Sequence, residues 1–185
     1  TEMTKCRVCE VGTVADKKGS ATCSSCGAGE FGEAGPVCTK CGKGRFREGN
    51  ALSALSCKAC PQGFYQDATG QAACLPCVPG EFSNETGMSS CNSCAIGKVS
   101  ASSNATACSE CEKGHYQNEE GQASCLPCVP GKYQDERNSS ACKLCPTNHF
   151  ANETEMTLCH KCEIGTVARN PGSATCQACI AGTYG

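Results

Sequence analysis

The chain has 185 residues, with 16 Lys and Arg against 18 Asp and Glu, 22 cysteines, 21 glycines and no tryptophan. A near-neutral balance without a basic run offers no footprint for nucleic acid or an anionic membrane surface, and no apolar stretch reaches the roughly 18 residues that span a bilayer. The cysteine load also excludes an ordinary globular core: much of the 39% hydrophobic fraction is Cys and Ala, so covalent cross-links have to stand in for the burial of large apolar side chains.

Cys-x-x-Cys occurs eleven times, from Cys6 and Cys9 to Cys176 and Cys179, and between Cys57 and Cys176 seven consecutive intervals are each seventeen residues. A fixed period this short makes each unit one small supersecondary element that depends on its cross-links and its neighbours. The expectation is one continuous repeat array over 1–185. Residues 1–26 align with 154–179 at 17 of 26 identical positions, and 70–80 with 121–131, so the array grew by block duplication. Both ends cut through a repeat and Thr1 opens no signal-peptide pattern, which reads as a piece of a longer chain. The period falters over 26–57, where Cys23 to Cys38 spans 15 residues and Cys38 to Cys57 spans 19. The longer segment carries Leu52 and Leu55, which have no counterpart in the regular loops. They read as a bend, a lateral contact or a tolerated change of surface loop length.

Within each repeat the third residue after the second cysteine is glycine, except at Asn148. Glycine and asparagine share access to the left-handed backbone region, which predicts a turn with positive φ at this place. Two residues further on stand Val14, Phe31, Phe46, Tyr65, Phe82, Val99, Tyr116, Tyr133, Phe150, Val167 and Tyr184. Aromatic and β-branched types at one position predict a short strand whose side chain packs on the disulfides and on the next unit. Turn formers return four residues ahead of the next pair, as Gly19, Gly70, Gly87, Asn104, Gly121, Asn138 and Gly172. No intervening segment has helical periodicity. The fold class is therefore small and disulfide-rich, an extended rod or solenoid of short β-hairpins and turns with almost no helix.

Cys-x-x-Cys arrays serve as structural disulfides, zinc ligands or redox centres. Two such pairs suit a tetrahedral zinc site in spacing, but an unbroken run offers no natural grouping into fours, and only three histidines are present. Redox catalysis needs a thiolate stabilised at a helix start within a supporting fold, which seventeen residues do not supply. No metal, cofactor or catalytic residue is therefore expected. His115 and His149 occupy a variable position beside the aromatic and read as solvent-facing. For disulfides, every repeat has to pair alike. One uniform pattern joins the second cysteine of a pair to the first of the next: Cys9 to Cys23, Cys26 to Cys38, Cys41 to Cys57, Cys60 to Cys74, Cys77 to Cys91, Cys94 to Cys108, Cys111 to Cys125, Cys128 to Cys142, Cys145 to Cys159 and Cys162 to Cys176. The other joins the first cysteine of a pair to the second of the next, and leaves Cys9 and Cys176 over rather than Cys6 and Cys179.

The loops from Cys60-Pro61-Gln62-Gly63-Phe64-Tyr65 to Cys74, and from Cys77-Val78-Pro79-Gly80-Glu81-Phe82 to Cys91, resemble the first module of tumour necrosis factor receptor cysteine-rich domains. They are equally similar to the cysteine-rich repeats of ephrin receptors. The resemblance implies an extracellular disulfide-rich fold and favours the first pairing over the whole chain. The uniform array departs from both families, since receptors of the first kind interleave a module with crossed disulfides and ephrin receptors carry few such repeats. No ligand is carried over.

Sequons begin at Asn84, Asn104, Asn138 and Asn152, seven or ten residues after a second cysteine. N-linked glycans are expected there, on loops of an extracellular or cell-surface chain. The leading function is an extracellular structural glycoprotein that self-associates into a filament, stalk or surface coat. The alternative is the ligand-binding ectodomain of a receptor or adhesion protein, for which only Phe64, Leu52 and Leu55 stand out as individual apolar residues.

Overall fold

The structure, a computed structural model, describes residues 7–10, 12–15, 17–32, 37–49 and 56–182. Among them there is no helix, and twenty strands of two residues each, from Thr13–Val14 to Gln177–Ala178, pair with their neighbours along the chain into ten two-stranded sheets. The first strand of a hairpin is the residue after the turn glycine plus the aromatic or β-branched one. The second is the two residues inside the next Cys-x-x-Cys. His115 thus stands opposite Pro127 and Tyr116 opposite Leu126, antiparallel. A ladder this short is not stable alone in water. The disulfide clamps it: Cys111 bonds to Cys125, the residue directly before the second strand.

Ten disulfides join the second cysteine of each pair to the first of the next, from Cys9 with Cys23 to Cys162 with Cys176, at Cα separations of 5.6–5.8 Å. Cys179 has no disulfide partner among the described residues. Cys6, Leu52, Leu55 and Tyr184 lie outside the described residues. The turn residue has positive φ at Gly114 (82°) and likewise at Asn148 (60°). The second turn position has it at Asn104, Asn138 and also Glu155 (64°), which nothing in its residue type announces.

The aromatic position is only half-buried at Phe31, Phe46, Tyr65, Phe82, Val99, Tyr116, Tyr133, Phe150 and Val167, whereas Val14 is buried. The deepest sites are the second half-cystines from Cys26 to Cys145, 0–1% exposed, and the residue that follows the aromatic: Arg47, Gln66, Ser83, Ser100, Gln117, Gln134, Ala151 and Ala168. Successive side chains of a strand point to opposite faces, so the aromatic and its successor cannot both turn inward. The inward place goes to the successor.

The chain divides into two compact units, one of Thr1–Val78, Phe82–Asn92 and Asn104–Thr106, the other of Pro79–Glu81, Ser93–Ser103 and Ala107–Gly185. Within each unit the repeats are stacked rather than strung like beads, because each repeat hydrogen-bonds to the next and its turn is met by the loop of the one after.

Candidate functional site

The recurring feature is the joint between repeats, made of main chain. In the first unit the Gly44 N–H donates to Gln66 O (2.7 Å), the Gln66 N–H to Met88 O (3.1 Å) and the Gly87 N–H to Cys60 O (2.8 Å). In the second unit the same bonds run from Gly114 to Gln134 (2.8 Å), from Gln134 to Met156 (3.0 Å) and from Glu155 back to Cys128 (2.9 Å). The second half-cystine also donates its N–H to the preceding turn residue, as Cys128 does to Gly114 O (2.8 Å). The backbone groups of each small repeat are satisfied by its neighbours, which accounts for a deeply buried half-cystine without a large apolar core.

At the joint, the turn glycine has a second duty that the spacing did not reveal. A Cβ on Gly131 would run into the carbonyl group of Gly172, and one on Gly114 into that of Glu155, while one on Gly165 would meet nothing within 4 Å. The loop of the repeat two places on therefore docks against the turn. Asn148 is exposed.

In five repeats the buried residue after the aromatic pins its own loop. Gln134 Nε2 donates to Ala141 O (2.6 Å) and its Oε1 accepts from the Glu136 N–H (3.1 Å); Gln66 and Gln117 repeat both bonds. Ser83 and Ser100 instead donate their hydroxyls to Glu85 O (3.1 Å) and Ser102 O (3.2 Å). Sequence reading missed this column. Its signal is a fixed place after the aromatic that holds Gln, Ser or Ala through the regular repeats. In the irregular stretch the place holds Arg47, whose Nη1 donates to the carbonyls of Cys26 (3.3 Å), Gly27 (3.1 Å) and Glu30. A longer side chain thus reaches the carbonyl of a buried half-cystine, the group that loop N–H donors serve in the regular repeats.

Charged contacts are superficial. Lys143 Nζ lies 2.7 Å from Asp135 Oδ1, and this hydrogen bond holds the Asp135 carboxyl below its ordinary value and the Lys143 ammonium above its own. Arg137 reaches Glu112 at 2.6 Å across repeats, and His115 stands 3.6 Å from Glu155. His115 and His149 are half-exposed strand residues rather than fully solvent-facing. Phe64 is half-buried on a strand opposite Pro76. The sequon asparagines Asn84, Asn104, Asn138 and Asn152 are all exposed. Asn84 and Asn152 directly follow a buried core residue, whereas Asn104 and Asn138 occupy the positive-φ place of the docking loop.

All cysteines from Cys9 to Cys176 are oxidised, so none is free to ligate zinc, and the described residues hold no cluster of three or more metal-ligating side chains. No helix of the described residues is long and apolar enough to cross a membrane. Ten disulfides require an oxidising compartment, which makes this an extracellular or secreted disulfide-rich chain. The family model of tyrosine-protein kinase ephrin type A/B receptor-like repeats matches residues 63–107, 97–138 and 123–157, together just over half of the chain. No curated protein matches it.

Proposed function

The chain belongs to the ephrin type A/B receptor-like repeat family, and from that premise we propose that it is an extracellular structural glycoprotein, one continuous disulfide-stapled array over 1–185 that forms a filament, stalk or surface coat. The observation that carries the reading is the joint. Its bonds run from main chain to main chain, from Gly44 with Gln66 to Gly131 with Ala151, so one repeat follows another whatever its exposed side chains are. An element of this kind lends itself to length, stiffness and protease resistance. The chain has no catalytic role in this reading, carries N-linked glycans and associates with its own kind. Electron microscopy of the natively purified, unreduced protein tests it: regular filaments or a coat lattice support the reading, and dispersed single chains at every concentration overturn it.

A second reading, a ligand-binding ectodomain, draws on the family membership. Binding would then depend on individual side chains, and Phe64→Ala should abolish capture of a cell-surface partner while leaving the disulfides intact. Capture that is indifferent to Phe64 removes the one described residue on which the sequence rests this reading.

A further inference from the structure

We infer that the Cys-x-x-Gly turns are sugar-covered: within the first unit glycans on Asn84 and Asn104, and within the second those on Asn138 and Asn152, lie at turns remote from them in sequence, and at two turns of the second unit they shield an exposed apolar side chain. The inference rests on the extracellular glycoprotein reading above and says where that sugar lies.

The stacking of the repeats is what brings these residues together. At the turn Pro61-Gln62-Gly63, the Gly63 N–H donates to Ser83 O (2.9 Å) and Gln62 Nε2 donates to Asn84 O (2.7 Å). The backbone oxygen of Asn104 stands where a Gly63 Cβ would be. Asn84 from the next repeat and Asn104 from the one after therefore flank a single turn. The same joint puts both the side-chain and the backbone oxygen of Asn138 against Gly97, the residue after Ile96. It also bonds the Gly131 N–H to Ala151 O (2.8 Å), which brings Asn152 beside Val129-Pro130-Gly131. Ile96 is 46% exposed and Val129 52% exposed. Isolated apolar residues need no cover in general. Here the cover is covalently available.

The chemistry is a group transfer. The side-chain amide nitrogen of Asn bonds to the anomeric carbon of an oligosaccharide carried on a polyprenyl diphosphate, the carbon–oxygen bond to the diphosphate breaks, and the amide loses one proton. Nothing is oxidised or reduced.

The test uses the full chain secreted from a eukaryotic host, natively treated or not with a peptide N-glycanase, with glycosite mapping and hydroxyl-radical footprinting read by mass spectrometry. The four sequons are expected to be occupied. Deglycosylation is expected to raise oxidation of Ile96 and Val129 severalfold. Asn138→Gln should unmask Ile96 alone, and Asn152→Gln Val129 alone. Equal labelling with and without sugar overturns the inference, as does a secreted, fully disulfide-bonded chain with empty sequons, which would leave the structural array standing. A shielded, glycosylated chain that images only as single molecules upholds the inference and ends the structural reading.

Discussion

Replacing Gly131 by Asn, with Gly165→Asn as its partner measurement, separates the two demands placed on the turn. Both positions have left-handed backbone, φ 86° and 84°, and the chain itself places Asn at this turn at residue 148. The cost of putting Asn in that region is therefore nearly the same in the two variants and drops out of the comparison. What differs is space. At residue 131 the new Cβ collides with the Gly172 carbonyl group, and at 165 it meets nothing within 4 Å. Moving the loop aside breaks the bond from Gly172 N–H to Cys145 O (2.8 Å) and the bond from Ala151 N–H to Ser173 O (3.3 Å). At about 0.5–1.5 kcal/mol for each backbone bond, the loss is about 1–3 kcal/mol of local stability. With a factor of ten for every 1.4 kcal/mol, the Gly172 amide should exchange its hydrogen roughly 5- to 100-fold faster in Gly131→Asn. Native-state hydrogen exchange with the disulfides intact reads this directly. Gly165→Asn should leave that amide as protected as in the parent. Unchanged exchange in Gly131→Asn, or an equal loss in Gly165→Asn, refutes the docking of loop on turn.

Arg47→Ala removes the guanidinium that bonds the carbonyls of Cys26, Gly27 and Glu30. Hydrogen exchange across 26–49 should show a loss of about 2–3 kcal/mol, with protection over 108–176 untouched; an unaltered profile removes Arg47 from its role in the irregular stretch. Gln134→Ala frees the loop between Gln134 and Ala141, at a cost of about 1–2 kcal/mol. Limited proteolysis should then nick 135–141 sooner, with the fragments held together by Cys128 and Cys142; an unchanged nicking rate contradicts the loop staple. The Asp135 and Lys143 pair should titrate as a screened surface contact. An acid lowered in the fold contributes above its unfolded pKa and loses the contribution as pH falls through its folded value. A raised base contributes below its unfolded pKa and loses it as pH rises through its folded value. The contribution is thus complete across the neutral range and disappears at both extremes. Since both groups are exposed, high salt should return both NMR titrations towards ordinary values, and displacements that survive high salt would point to a less solvated pair.

Much of the fold class is written locally. The seventeen-residue spacing, the requirement that every repeat pair its cysteines alike and the Gly or Asn of the turn all act within one or two repeats, where backbone sterics and loop closure decide. The turns of the structure have positive φ at both kinds of residue, and its disulfides follow the uniform rule. Glu155 escaped notice because its backbone conformation is imposed by docking on the Gly114 turn, against its own preference.

The interior was legible only in part. Tyr116 is a larger apolar group than Gln117, so composition favours the ring as the core residue. The structure buries Gln117 and leaves the ring half-covered. A short strand has a single inward place, and where Gln117 takes it the polar atoms of the side chain are bonded within its own loop. The sequence by itself determined the unit, its covalent closure and its turns, because these depend on neighbours along the chain. Which loop rests on which glycine, which side chain is interior and which turn each sequon reaches were decided by the stacking of a repeat on the two that follow it, a contact that no spacing within one repeat encodes.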